Sequence, residues 1–176
     1  MKNQTTTISL ASLNTKTIFF YSTILVLPML NHANQIIVGS AVNLMLFLGA
    51  KKLTDKELTL LAVLPSLGAI ANGVLFGSFT LFLIYFLPFI WLGNYLMMQV
   101  FRKLKYAELI KVFLASLVKT LLLFSAAFIF VKSGLVPSIF LKAMSLIQLI
   151  TAVSGGVLAS LISNSKFFAT KIESEK

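Results

Sequence analysis

Long apolar runs follow one another along the chain and are separated by short polar segments. A helix of about 20 apolar residues, with about 17–25 tolerated, crosses the roughly 30 Å hydrocarbon core of a bilayer. The pattern therefore predicts an all-α integral membrane protein, a bundle of about six transmembrane helices. The predicted spans cover residues 15–30, 35–50, 58–72, 78–101, 109–131 and 138–162.

The same pattern predicts a six-helix transmembrane domain at 1–163 and a short polar cytoplasmic tail at 164–176. At the N-terminus, Lys2 and Lys16 precede an apolar run at 18–30, which is the layout of a signal peptide. The residues after this run lack a small-x-small cleavage pattern, so we expect the first helix to be retained.

Composition excludes several classes of protein. Hydrophobic residues make up 58% of the chain and charged residues 11%, whereas soluble domains carry about 45–50% and about 25%. The chain is therefore neither an ordinary soluble protein nor a disordered one, because disorder requires low hydrophobicity. It has no cysteine, which excludes disulfides, thiolate metal sites, iron–sulfur clusters and cysteine nucleophiles.

The 15 Lys and Arg residues outnumber the five acidic ones, giving a formal charge of +10. The cations form short clusters between apolar runs, which is typical of membrane topology and not of nucleic-acid binding. Twelve of them fall on one side of the predicted bundle, so the positive-inside rule predicts that both termini are cytoplasmic. The loops at 31–34, 72–77 and 132–137 are then outside. The twelve cytoplasmic cations are Lys2, Lys16, Lys51, Lys52, Lys56, Arg102, Lys103, Lys105, Lys111, Lys166, Lys171 and Lys176.

Lys119 stands about ten residues inside the fifth span, where a lysine costs about 2.5–3.5 kcal/mol. It either faces a cavity, holding an anionic ligand group or a polar network, or extends its stem to the interface. Asn43, Asn94 and Gln148 lie at similar depth on three other spans. Each alone is typical of an interhelical hydrogen bond, but together with Lys119 they favour a polar-lined interior.

The outer segment Asn31-His32-Ala33-Asn34-Gln35 is rich in amides and holds the only histidine. A lone histidine makes a poor metal site, and as a base it lacks an orienting partner. The segment therefore either satisfies helix ends, with Asn34 as an N-cap, or contacts a ligand.

Pro65 and Pro88 interrupt the third and fourth spans, and Gly93-Asn94 follows the second proline. A proline inside a helix removes a backbone bond and frees carbonyls that can line a cavity. We class Asn43, Pro65, Pro88, Gly93 and Asn94 as structural positions, either polar or at a helix kink.

Catalytic motifs are absent from the sequence. It has no Walker A, HExxH or GxSxG motif and no paired carboxylates in a span. We therefore expect no enzyme, no catalytic residues, no cofactor and no metal. An autonomous ion-coupled transporter is also disfavoured, because coupling ions and protons use acidic residues inside the membrane.

Four stretches, at 30–43, 64–66, 87–94 and 151–156, carry a family resemblance, including Pro-x-x-x-x-Gly-Asn at 88–94. With six short helices, a polar outer loop and no coupling carboxylates, the chain resembles the S components, the substrate-specific subunits of energy-coupling factor (ECF) transporters. The resemblance implies capture of a vitamin or other micronutrient in a pocket open to the outside. It implies partners too: a transmembrane coupling protein driven by two cytoplasmic ATPases, with membrane lipid and no nucleic acid.

The resemblance also implies a location in the plasma membrane of a prokaryote and a pocket built from the outer loops and the outer halves of the later helices. The substrate-binding residues it implies are Asn31, His32, Asn34, Gln35, Asn72, Tyr85, Lys119, Lys132 and Gln148.

The alternative is a non-transporting membrane scaffold that resembles the rod-shape protein MreD. The first span lacks the Ala-x-x-x-Ala pair through which S components often dock. A scaffold should carry its polar residues on a surface that faces another protein, whereas a capture subunit should direct them into one outward cavity.

Overall fold

A computed structural model of the chain describes residues 14–29, 34–72 and 81–164. Within these ranges the protein is helical and has no strand, so the all-α prediction is confirmed for them. The predicted tail beyond residue 164 lies outside the described residues. The helices are α1 Thr15–Val26, followed by a 3₁₀ turn at Leu27–Met29, then α2 Gln35–Lys52, α3 Asp55–Asn72, α4 Leu83–Lys103, α5 Glu108–Lys132, α6 Ile139–Ala143 and α7 Leu146–Asn164.

Hydropathy placed two boundaries differently from the structure. Helix α3 begins at Asp55 and not at residue 58, because the Glu57 carboxylate accepts hydrogen bonds from the backbone N–H (2.8 Å) and the hydroxyl (2.7 Å) of Thr54. This is half of a capping box, which starts a helix in polar sequence. The sixth predicted span is divided into α6 and α7, and Ser145 donates to the Leu141 carbonyl at 2.5 Å where α6 ends.

Among the residues that the structure describes, three helical segments are long and apolar enough to cross a membrane: α4, α5, and α6 together with α7. Helix α1 with its 3₁₀ turn is apolar but shorter, and α2 and α3 have 18 residues each. These lengths and compositions are consistent with a membrane protein.

Polar contacts bring the cation-bearing helix ends together. Thr17 at the start of α1 donates to the Glu57 carboxylate at the start of α3. Lys51 at the end of α2 forms an ion pair with Glu108 at the start of α5. Asp55 accepts from residues near the end of α4, namely Gln99 at 2.6 Å and Arg102 at 3.0 Å. Five helices therefore have their basic termini at one end of the bundle. We call it the basic end, and it carries Lys16, Lys51, Lys52, Lys56, Arg102, Lys103 and Lys111.

Two of the acidic groups at the basic end are stabilised as carboxylates. The pKa of Glu57 lies below its usual value because Thr17, and then Thr54, donate hydrogen bonds to it. Burial by itself raises the pKa of Glu108, but the hydrogen bond and charge of Lys51 outweigh it, so that this pKa is also lowered.

Helices α2 and α7 run parallel to each other in close contact. A Cβ atom at Gly155 of α7 would lie 2.5 Å from the Ser40 carbonyl oxygen and 2.6 Å from the Leu44 nitrogen on α2. On the other side of the bundle, a Cβ at Gly68 of α3 would lie 2.2 Å from the Leu25 carbonyl oxygen. These two glycines allow backbones to approach more closely than any other residue permits.

The half of the bundle nearest the basic end is packed with apolar side chains from six helices. Phe47 of α2 and Phe101 of α4 meet edge to face, with ring centroids 5.0 Å apart. Such packing leaves little room for solvent, so any solute site must lie nearer the far end. Buried members of this cluster include Phe20, Leu46, Phe47, Leu58, Leu61, Met97, Met98, Phe101 and Val112.

Candidate functional site

A cavity of about 100 Å³ lies in the half of the bundle away from the basic end. It is bounded where α1 and α3 end and where α2, α4 and α7 begin, with α5 contributing Lys119 from mid-helix. Most of the wall is apolar. Its lining residues are Pro28, Gln35, Val38, Gly39, Val42, Asn43, Pro65, Ser66, Ala69, Leu83, Ile90, Asn94, Lys119, Met144, Ile147, Gln148 and Thr151.

Lys119 is 3% exposed and donates to the Asn43 side-chain oxygen at 2.7 Å. The Asn43 nitrogen donates to the Gly39 carbonyl at 2.8 Å and to the Thr151 hydroxyl at 3.3 Å. Thr151 in turn donates to the Gln148 carbonyl at 3.1 Å. These bonds fix the orientation of the Asn43 amide, because its oxygen must face the ammonium group. The network joins α2, α5 and α7 at the floor of the cavity.

Where α3 and α4 form the wall, Asn94 of α4 donates to the Ala62 carbonyl of α3 at 2.9 Å. Ala62 lies one turn before Pro65, which has no N–H for its own helix and disturbs the backbone bonds of this turn. The Asn94 side-chain oxygen is buried and has no hydrogen-bond partner within the part of the chain that the structure describes. A further link between these two helices runs from the Trp91 indole to the Ser66 hydroxyl at 2.7 Å.

Lys119 is the one ionisable side chain among the described residues that line the cavity. A buried ammonium ion needs compensation for its lost hydration, and here its hydrogen-bond partner among the described residues is the neutral amide of Asn43. The ammonium form of Lys119 brings a positive charge into apolar surroundings, and a negatively charged group would compensate that charge.

The structure brings together some of the residues predicted from sequence. Lys119, Asn43, Asn94, Gln35 and Gln148 all line the one cavity. Pro65 lines it as well, while Gly93 packs beside it, where a Cβ would lie 3.4 Å from the Lys119 Cγ.

Other predicted residues lie elsewhere. Asn34 is exposed and caps α2 by accepting from the Ile36 N–H at 3.0 Å. Tyr85 is 48% exposed, with its ring against Phe130, and Pro88 on the same helix is exposed too. Lys132 is exposed at the end of α5, with its ammonium over the Phe128 ring. Asn31, His32 and the side chain of Asn72 lie outside the described residues.

Sequence reasoning missed Thr151, which completes the bonding of Asn43. Its spacing of three residues from Gln148 places both on one face of α7, and that was the available signal. Ser66 was missed also, because a serine inside an apolar helix ordinarily bonds the backbone of its own helix. Its hydroxyl does donate to the Val63 carbonyl at 2.8 Å, but it also accepts from the Trp91 indole.

Comparison of the chain with protein-family profiles, with curated proteins and with solved structures found no match. The functional argument therefore rests on the geometry of the cavity.

Proposed function

We propose that this protein is the substrate-capturing membrane subunit of an ECF-type micronutrient uptake transporter. The observation that carries the proposal is the cavity at the end of the bundle opposite the basic end, with Lys119, Asn43 and Thr151 bonded at its floor. By the positive-inside rule the basic end faces the cytoplasm. The cavity then belongs to the outer half of the plasma membrane of a prokaryotic cell.

The packing below the cavity supports capture and not free passage. One turn towards the basic end from Asn43 lies Phe47, and one turn from Asn94 lie Met97 and Met98, all of them nearly inaccessible. A solute in the cavity is therefore separated from the cytoplasmic side by packed side chains. Its release requires a rearrangement of the bundle, and the sequence has no nucleotide-binding motif to drive one. A coupling protein with cytoplasmic ATPases would supply that energy.

The arrangement of the polar groups also argues against the scaffold alternative, a protein resembling MreD. Such a scaffold would present its mid-membrane polar residues to a neighbouring protein. Here Asn43, Asn94 and Lys119 are 2%, 2% and 3% exposed and all line the cavity.

A cavity-filling variant tests capture. Three proteins are purified in lipid nanodiscs: the wild type, the variant Val42→Trp in the cavity wall, and the control variant Leu121→Trp on the exposed face of α5. Mass spectrometry of the extracted small molecules, with proteomics of the co-purifying chains, is the measurement. We expect the wild type and Leu121→Trp to retain a compound that Val42→Trp has lost, and all three to co-purify with an ATPase module. Identical small-molecule profiles in all three proteins, together with no co-purifying ATPase, would contradict the proposal. The scaffold alternative would then be the better explanation.

A further inference from the structure

Two unmet hydrogen-bonding groups of opposite character line the cavity. An ammonium group has three N–H donors, and the bond from Lys119 to Asn43 uses one of them. Both N–H donors of Asn43 are used, by the Gly39 carbonyl and the Thr151 hydroxyl, so Asn43 has no donor left for a solute. The donors of Lys119 that remain are therefore available to a ligand that brings a negative charge.

The second group is the side-chain oxygen of Asn94, which is an acceptor. Asn94 is 2% exposed, and its nitrogen is held by the Ala62 carbonyl, so that its oxygen is turned away from that bond. The oxygen has no partner among the described residues. An unpaired buried acceptor is costly, and a donor on a ligand would offset that cost. Gly93, the residue before Asn94, packs against the stem of Lys119, so Asn94 and Lys119 lie on adjoining parts of the wall.

The rest of the cavity determines the size of the ligand and the character of its apolar part. Val38, Val42, Ile90 and Ile147 offer branched apolar contacts. The volume of about 100 Å³ is well below the roughly 300–1,000 Å³ of pockets for drug-sized ligands. A compact molecule with a short aliphatic part fits these walls, and a multi-ring vitamin does not.

We propose that the cavity binds a compact organic monoanion with three parts. Its carboxylate accepts hydrogen bonds from Lys119, a neighbouring hydroxyl donates to the Asn94 side-chain oxygen, and a short branched hydrocarbon contacts the apolar wall. A bare inorganic anion would leave the Asn94 oxygen unpaired. A phosphate dianion would bring a second charge that no other cation of the described lining meets. This inference rests on the proposed capture function and narrows its substrate class.

The first test compares three small probes on the wild-type protein in nanodiscs by thermal-shift and titration calorimetry. They are 2-hydroxy-3-methylbutanoate, its amide, which removes the charge, and 3-methylbutanoate, which removes the hydroxyl. We expect the hydroxy acid to bind and to raise the melting temperature. The acid without the hydroxyl should bind about tenfold more weakly, the ratio for one lost bond to a buried group, and the amide should give no response.

The second test assigns the two contacts. Lys119→Met keeps the length of the side chain without its charge and should abolish binding of the hydroxy acid. Asn94→Leu should remove the preference for the hydroxy acid over 3-methylbutanoate. Lys105→Met, an exposed lysine between α4 and α5, is the matched control and should bind like the wild type. Binding of the amide as tightly as the acid, binding retained by Lys119→Met, or no response to any probe would each overturn the inference.

These failures differ from failure of the capture function. If the wild type retains a neutral or cationic compound that is equally retained by Lys119→Met, the ligand class is wrong and capture stands. If the hydroxy acid binds through Lys119 but cells producing the chain take up no isotope-labelled hydroxy acid and no ATPase co-purifies, the ligand class stands and the transport proposal fails.

Discussion

At the scale of single residues, Gly155 makes a close backbone contact with α2 beside the site. A Cβ there would lie within 2.6 Å of two backbone atoms of α2, which cannot rotate away as a side chain can. We expect Gly155→Ala to push α7 from α2 and to destabilise the protein by about 1–3 kcal/mol. In a protein of this size each kcal/mol lowers the melting temperature by roughly 2–4 °C, which is measurable in nanodiscs.

The control for this prediction is Gly93→Ala on α4, where the nearest atom to the new Cβ is a side-chain carbon at 3.4 Å. Alanine is preferred to glycine inside a helix by about 1 kcal/mol, so this variant should be as stable as the wild type or more so. Equal loss of stability in both variants would show that the α2–α7 contact is not the cause of the loss.

Residue-scale reasoning from sequence found the polar groups that line the site but not all of their partners. Lys119, Asn43 and Asn94 stand out because each is costly in an apolar run. Thr151 does not, since a threonine in a membrane helix ordinarily bonds its own backbone. Its bond to Asn43 joins residues 108 positions apart, and local sequence carries no signal of such a pairing.

At the scale of elements, the link between α1 and α3 at the basic end depends on the ionised form of Glu57. Its pKa is lowered mainly by the hydrogen bond from Thr17, so the carboxylate stabilises the folded state above its unfolded pKa of about 4.3. This contribution is lost as the pH falls through the lower folded value. We expect Glu57→Gln to lower the melting temperature at pH 7 by a few degrees, with the difference from wild type shrinking below about pH 4.

Thr17→Val tests the cause of the lowered pKa, because it keeps the shape of the side chain and removes the donor. Its melting curves between pH 3 and pH 7 should fall between those of the wild type and Glu57→Gln. A Glu57→Gln variant whose difference from wild type is the same at every pH would contradict the assignment, since the carboxylate charge would then contribute nothing.

At the scale of the whole molecule, the orientation of the bundle is open to chemical labelling, because the chain has no cysteine. Helix α5 has 25 residues and is about 37 Å long, so we expect Lys105 before it and Ser133 after it to lie on opposite sides of a membrane. We expect Ser133→Cys to react with a membrane-impermeant maleimide on intact cells, and Lys105→Cys to react only after lysis.

A second pair makes the topology test independent of α5. Lys56→Cys at the start of α3 should behave like Lys105→Cys, because Asp55 and Arg102 place those helix ends together. Labelling of Lys105→Cys and Ser133→Cys from the same side would show that α5 does not cross the membrane, and reversed labelling would place the cavity on the cytoplasmic side.

The sequence by itself determined the helical class, the approximate extent of each helix and the asymmetry of charge between the two ends. These properties follow from the transfer cost of each local segment, which hydropathy and cation counting record directly. Only the tertiary structure decided which face of each helix turns inwards. It brought Lys119 to Asn43, 76 residues away, and left Tyr85 and Lys132 outside the cavity. The reason is physical: the rotation of an apolar helix about its axis is set by packing against its neighbours, such as the glycine contact of α7 with α2, and not by its own hydropathy.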